Sequence, residues 1–287
     1  MDKLTRRVAW LRAAAALAQV SPSPRFEAEL LLRGALGGES RARFFASLDE
    51  ELPAPVLECY WDWVEQRRQG MPTQYLLGQQ EFMGLGFCVT PAVLIPRPDT
   101  EILVEHALQW LQGVEAEQPR VLDLATGSGA VAVSLAVHCP QAAVWATDVS
   151  AAALEVAHRN AQVHGVAERV RFLQGSWTEP LAGLGLRFHL IVSNPPYIAT
   201  AQIAELDSVV QHEPRLALDG GRDGLDCYRQ LIPATLPLLF PGGLLAVEVG
   251  QGQDQAVVEL FQAAGFAQPE VRHDLAGIPR VVRGRRP

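Results

Sequence analysis

From residue 119 onward, short apolar runs alternate with helical patterns, and this alternation restricts the fold more than any other feature of the chain. The runs cover 120–124, 143–147, 170–173, 188–192 and 244–249. Strands that are apolar on both faces belong in a parallel sheet covered by helices, so the pattern predicts βαβ units in an α/β fold. Segments around 270–273 and 280–282 can add a closing antiparallel pair.

Open sheets of this kind bind ligands beyond the C-terminal tips of their strands. After the first run comes Ala125-Thr126-Gly127-Ser128-Gly129-Ala130, a tight glycine turn opening a helix. Its glycines let the backbone approach a ligand closely. Asp148 directly follows the second run, where a carboxylate can accept both ribose hydroxyl protons of an adenosine. The Gly-x-Gly-x-x-Ala spacing alone is compatible with NAD or with S-adenosylmethionine. Asp123, beside the turn, favours the second: a carboxylate repels a pyrophosphate but attracts an ammonium or a sulfonium. Gly175-Ser176-Trp177 follows the third run, and Trp177 is positioned to pack on an adenine.

The fourth run ends in Asn194-Pro195-Pro196-Tyr197. Two prolines remove two backbone donors and hold the chain extended. What remains is a rigid set of acceptors beside an aromatic face, suited to gripping a planar NH2 group.

Residues 1–70 read as four short helices with an aromatic-rich core, a small bundle whose expected role is substrate docking. Val8, Leu11, Ala15 and Ala18 form one stripe; Phe26, Leu30 and Leu31 mark the second helix. Residues 71–95 read as a β-hairpin linker, and 96–287 as the catalytic domain. Asp99 or Thr100 can cap the helix that follows Pro98. The loop 219–224 reads as mobile, and the basic residues 280–286 as a solvated tail.

A net charge of −8 argues against sequence-independent nucleic-acid binding, which rests on cationic contacts to phosphates. The four cysteines, Cys59, Cys88, Cys139 and Cys227, lack metal or redox spacing, and no metal is expected. No apolar run is long enough to span a bilayer, and the alanine-rich stretch 12–20 lies within a helical pattern. A cytoplasmic enzyme, acting as a monomer, is the expectation.

Together these residues resemble the HemK/PrmC methyltransferases. The resemblance covers nearly the whole chain and includes residues 26–32, 72–78, 93–101, 194–198, 213–218 and 223–226. Pro96-Arg97-Pro98-Asp99-Thr100-Glu101 is its most specific segment. It implies a seven-stranded, Rossmann-like class I methyltransferase domain behind a small helical bundle. It implies S-adenosylmethionine as donor and, as acceptor, the Gly-Gly-Gln glutamine of class 1 peptide chain release factors. Carried over by position, Ala125, Thr126, Gly127, Ser128, Gly129, Asp148, Trp177 and Asn194 line the cofactor, with Asp123 beside them. Asn194, Pro195, Pro196 and Tyr197 hold the glutamine, with Asn194, Pro195 and Tyr197 as the catalytic group. Arg97, Glu101 and Glu213 are secondary candidates. Ala125 departs from the glycine common at its position; its methyl narrows the turn or demands φ below zero.

Three other activities share parts of this pattern. An adenine-N6 nucleic-acid methyltransferase uses the same tetrapeptide, and a ribosomal-protein glutamine methyltransferase the same catalytic motif. An NAD oxidoreductase needs the glycine turn but not Asn-Pro-Pro-Tyr. A non-enzymatic module that binds the cofactor and docks on translation factors is the fourth reading.

Overall fold

The computed structural model describes residues 4–287. The chain divides into two compact units. One runs through Gly78 and takes in Asp207–His212; the other comprises Gln79–Leu206 and Glu213–Pro287.

The first unit holds α1 (Arg6–Leu17), α2 (Pro24–Ala35), α3 (Arg41–Ala46), α4 (Ala54–Arg68) and α5 (Thr73–Leu77). Pro24 starts α2 because its missing N–H costs nothing in the first turn, and the Ser40 hydroxyl caps α3 by accepting from the Arg43 N–H at 3.3 Å. The core gathers Leu17, Leu31, Leu32, Phe44 and Tyr60, and the Tyr60 hydroxyl donates to the Ala28 carbonyl at 3.0 Å. The stripe read on α1 is the wrong face. Val8, Leu11, Ala15 and Ala18 are exposed, while Ala9, Ala13 and Leu17 are buried. The helix is so rich in alanine that its apolar periodicity is weak. Its orientation is fixed instead by close packing of small residues on α2 and by Arg6, paired with Glu39 at 2.7 Å and Glu50 at 2.8 Å. Phe26 on α2 is likewise exposed. The five residues of α5 are too few to show a period in the sequence.

The second unit opens with a hairpin, β1 (Gln79–Phe82) and β2 (Leu85–Cys88), followed by α6 (Pro98–Leu111). Alternation then sets in: β3 (Arg120–Leu124), α7 (Ala130–His138), β4 (Ala143–Asp148), α8 (Ala151–Val163), β5 (Val170–Gln174) and β6 (Phe188–Ser193). The short α9 (Ser208–Gln211) belongs with the first unit. The chain ends with α10 (Asp226–Thr235), β7 (Leu239–Glu248), α11 (Asp254–Ala263), β8 (Ala267–His273) and β9 (Pro279–Arg285).

Seven strands form one sheet in the order β5-β4-β3-β6-β7-β9-β8. β3 to β7 pair in parallel, and β9 pairs antiparallel with both β7 and β8. Successive side chains point to opposite faces. Val121, Val144, Ala146, Leu190 and Val192 therefore meet α6, α7 and the hairpin, whereas Leu122, Trp145 and Ile191 meet α10 and α11. Both faces are covered, which is why the strands read as unbroken apolar runs. The basic stretch 280–286 is not a loose tail: most of it is β9, with Val281 and Val282 buried. Arg280 pairs with Asp99 at 2.8 Å and Asp274 at 2.9 Å.

Asn160 on α8, fully buried, braces the region under the site. Its amide donates to the carbonyls of Ser128 at 2.8 Å and Cys88 at 3.0 Å and accepts from the Cys88 N–H at 2.7 Å. One side chain thus joins the glycine turn to β2 and satisfies buried backbone groups that would each cost about 1–3 kcal/mol if left unpaired.

Candidate active site

The chain runs outward from β3 to β5 and then returns to β6 on the other side of β3. This reversal is the switch point at which α/β sheets open a crevice. A cleft of about 400 Å³ lies there, lined by Asp123, Ala125, Thr126, Gly127, Ser128, Asp148, Trp177, Asn194 and Pro196 among others. Gly129, Pro195 and Tyr197 do not line it.

The glycine turn is held by its own polar groups. Thr126 donates its backbone N–H to the Thr147 carbonyl at 3.0 Å and its hydroxyl to Asp123 at 2.6 Å. Gly129 starts α7 at φ +78°, and a Cβ there would stand 3.0 Å from that of Ala157, so glycine permits α7 and α8 to approach. Ala125 sits at φ +57°, in the left-handed region. Of the two effects expected of its methyl, a narrowed turn or a φ below zero, the second is therefore not met. The turn keeps its shape and carries a local cost of about 1–2 kcal/mol, offset by the packing around it.

Asp148, at the tip of β4, accepts from the Gly127 N–H through one oxygen and from the Ser150 N–H through the other, each at 2.8 Å. Burial raises its pKa despite these donors. Asp123 is more deeply buried, and its carboxyl is pushed up to about 7, first by burial and further by the Asp148 charge, against the Thr126 hydroxyl. The folded protein therefore keeps this proton to higher pH than the unfolded chain, and Asp123 weakens the cofactor-free fold as pH rises from about 4 to 7.

Trp177 adopts φ +45°, held by the Thr147 hydroxyl, which donates to its carbonyl at 2.9 Å. Its indole N–H donates to Gln230 on α10 at 3.1 Å. Gln230 and Cys227, on α10, line the cleft without any signal in the sequence, because α10 carries only an ordinary amphipathic pattern. Burial pushes the Cys227 thiol up to about 11, aided by Asp226 and Asp219, which leaves it unreactive at neutral pH.

The Asn194 amide donates to the Thr100 hydroxyl oxygen at 3.0 Å. Neither Asp99 nor Thr100 caps α6. Pro98 starts the helix two residues earlier than a cap at Asp99 would, with Arg97 at the cap position and no side-chain cap. Tyr197 turns away from the cleft, and its hydroxyl donates to Glu248 on β7 at 3.4 Å. Behind it the loop 219–224 is tightly bonded rather than loose. Ile198 exchanges backbone hydrogen bonds with Leu218 at 3.0 Å and Gly220 at 2.8 Å. A Cβ at Gly220 would meet the Tyr197 Cα at 2.7 Å, so only glycine permits this seat beneath the tetrapeptide. Arg97 lines the cleft and pairs with the buried Glu213, which also accepts from the Ile95 N–H at 3.1 Å. Glu101 lies outside the cleft and accepts from the Met83 N–H of the hairpin turn at 2.7 Å.

The strand order and the cleft at its switch point are those of a class I methyltransferase. Two solved structures share the fold alone. One is the hMettl16 catalytic domain in complex with MAT2A 3′UTR hairpin 6, with TM-score 0.59, 15% identity and coverage of 78% of this chain and 81% of that one. The other is a methyltransferase from Pyrococcus furiosus, with TM-score 0.51, 18% identity and coverage of 71% and 90%. Residues 9–78 match the PrmC N-terminal domain family, and residues 98–221 the methyltransferase small domain family. The release factor glutamine methyltransferase of Moorella thermoacetica is 51% identical, over 90% of this chain and 89% of its own. That of Bordetella pertussis is 49% identical, over 91% and 94%, and that of Burkholderia pseudomallei 45%, over 96% of each. The chain belongs to the release factor glutamine methyltransferase family.

Proposed function

We infer that this protein transfers a methyl group from S-adenosylmethionine to the side-chain amide nitrogen (N5) of the Gly-Gly-Gln glutamine of class 1 peptide chain release factors, in the cytoplasm. The observation that carries the reading is the Asn194 amide at the cleft wall. Its NH2 is engaged by Thr100, which leaves its oxygen to accept from a substrate amide.

The residues of the cleft suit the cofactor. The volume accommodates a nucleoside, Asp148 has lone pairs left to accept ribose hydroxyls, and Trp177 supplies a wall for the base. Asp123 would hold the ammonium of the amino-acid end. When bound, the cofactor supplies an electrophilic methyl on a sulfonium.

An amide nitrogen is a poor nucleophile because its lone pair is delocalised. The Asn194 oxygen and the Pro195 carbonyl would accept the two amide hydrogens, orient the nitrogen and stabilise the positive charge that develops on it. Pro196 packs against the amide plane. Tyr197, turned toward β7, supports the motif from behind rather than clamping the substrate. The proton leaves to water after transfer.

The decisive experiment supplies labelled S-adenosylmethionine and an unmethylated release factor, beside a variant with its Gly-Gly-Gln glutamine replaced. Label confined to that glutamine is expected. Label on RNA or on a ribosomal protein instead would move the acceptor to another class.

Asp123 makes binding depend on pH. Its proton must leave before the carboxylate can pair with an ammonium, so affinity for S-adenosylhomocysteine should rise with pH, by up to about tenfold per unit below pH 7. Calorimetry between pH 6 and 8 should show that slope, and Asp123→Asn should flatten it.

A further inference from the structure

Glu248, at the C-terminal end of β7, is 2% exposed and stands directly behind the Asn194–Tyr197 turn. Its Oε1 accepts from the Tyr197 hydroxyl, whereas its buried Oε2 has no hydrogen-bond partner. We propose that the Glu248 carboxylate is a positioning residue for methyl transfer, fixing through the Thr100 hydroxyl which way round the Asn194 amide lies. This inference rests on the glutamine-methyltransferase reading of the cleft.

The argument is one of hydrogen-bond polarity. An ionised carboxylate only accepts, while a threonine hydroxyl has one proton to give and two lone pairs. Thr100 holds Asn194 and neighbours the Glu248 carboxyl, whose Oε2 is without a partner; its proton is left to go to that oxygen, while it offers the amide a lone pair. Asn194 must then present its NH2 to Thr100, as its 3.0 Å contact has it, and its oxygen to the substrate side. The same carboxylate receives the Tyr197 hydroxyl, so one group sets both ends of the tetrapeptide.

Several groups bear on this carboxyl. Burial pushes it up to about 7, the neighbouring Thr100 and Tyr197 hydroxyls oppose that, Asp99 raises it and Arg280 lowers it. From α10, the Tyr228 hydroxyl donates to the Glu248 backbone carbonyl at 2.8 Å. Protonation at mildly acidic pH would make Glu248 a donor, free the Thr100 proton and release the amide to turn over.

The test measures kcat between pH 6 and 8.5 at saturating cofactor, which removes the Asp123 effect on binding. Wild type should lose kcat as pH falls through about 7. Glu248→Gln should lower kcat at pH 8 by about tenfold, the scale of one hydrogen bond in an active site, with KM for the release factor and cofactor affinity within twofold. It should also lack the acidic limb. Thr100→Val should match it, and the double variant should fall no further, whereas Thr100→Ser should keep the limb. A Glu248→Gln enzyme with wild-type kcat and pH profile, or additive losses in the double variant, would overturn the proposal. If Glu248→Gln does not fold, an acidic limb that survives in Thr100→Val overturns it equally. Wild type that methylates no glutamine would sink the underlying reading; wild-type transfer beside an indifferent Glu248→Gln would sink only this one.

Discussion

Asn194→Ala should lower turnover on a release factor by about 30- to 1000-fold, equivalent to about 2–4 kcal/mol of barrier, and leave affinity for S-adenosylhomocysteine within about threefold. The reasoning lies in where the residue sits. Asn194 lines the cleft, but its side chain is committed to Thr100, and the anchors of the glycine turn are Asp148, Thr147 and Asn160. Its removal leaves that turn intact. What disappears is an acceptor aimed at an amide nitrogen whose charge grows only during transfer, and an interaction made in the transition state appears in kcat. Single-turnover rates and calorimetry on the same preparation separate the two quantities. Equal losses in both would show that Asn194 holds cofactor rather than substrate.

Asp148→Ala should have the reverse profile, raising Kd for S-adenosylhomocysteine about 30- to 160-fold, or about 2–3 kcal/mol. Two backbone donors, Gly127 N–H and Ser150 N–H, converge on this one carboxylate. The first belongs to the turn that faces the cleft and the second to the start of α8. Truncation removes the proposed ribose contacts and unfastens both segments. Asp148→Asn keeps one oxygen and should fall between. If Asp148→Ala binds as wild type does, the carboxylate serves the loop alone.

Much of the sheet was legible because its strands are buried on both faces and so appear as continuous apolar runs. The turn residues were legible too, since Gly127, Asp148 and Asn194 each lie within three residues of the end of such a run. Other features left no local trace. The face of α1 escaped because alanine is compatible with either side, and burial was decided by Arg6 and its ion pairs with Glu39 and Glu50. Thr100 read as a cap because hydroxyls near helix starts usually are; its partner Asn194 is remote in sequence and joins it only when α6 packs over β6. The resemblance implied a substrate contact for Tyr197, yet its hydroxyl meets a carboxylate on β7 instead. The loop 219–224 carries the glycines of a mobile segment, but Gly220 is there for close packing. Ala125 shows the limit of steric rules applied to one residue: a packed turn can impose a left-handed backbone on alanine.

The central position of β3 also matters during synthesis. Its two neighbours are β4, which follows at once, and β6, which is made only after β5. A nascent chain that has completed β5 can therefore carry a three-stranded half-sheet whose apolar β3, central in the finished sheet, is still an unpaired edge, the kind of edge that recruits other chains. That edge is closed by the strand that delivers Asn194. Nascent chains halted before residue 188 should thus be the aggregation-prone ones, and the strand that ends this exposure is the same one that brings the acceptor side of the cleft to the donor side.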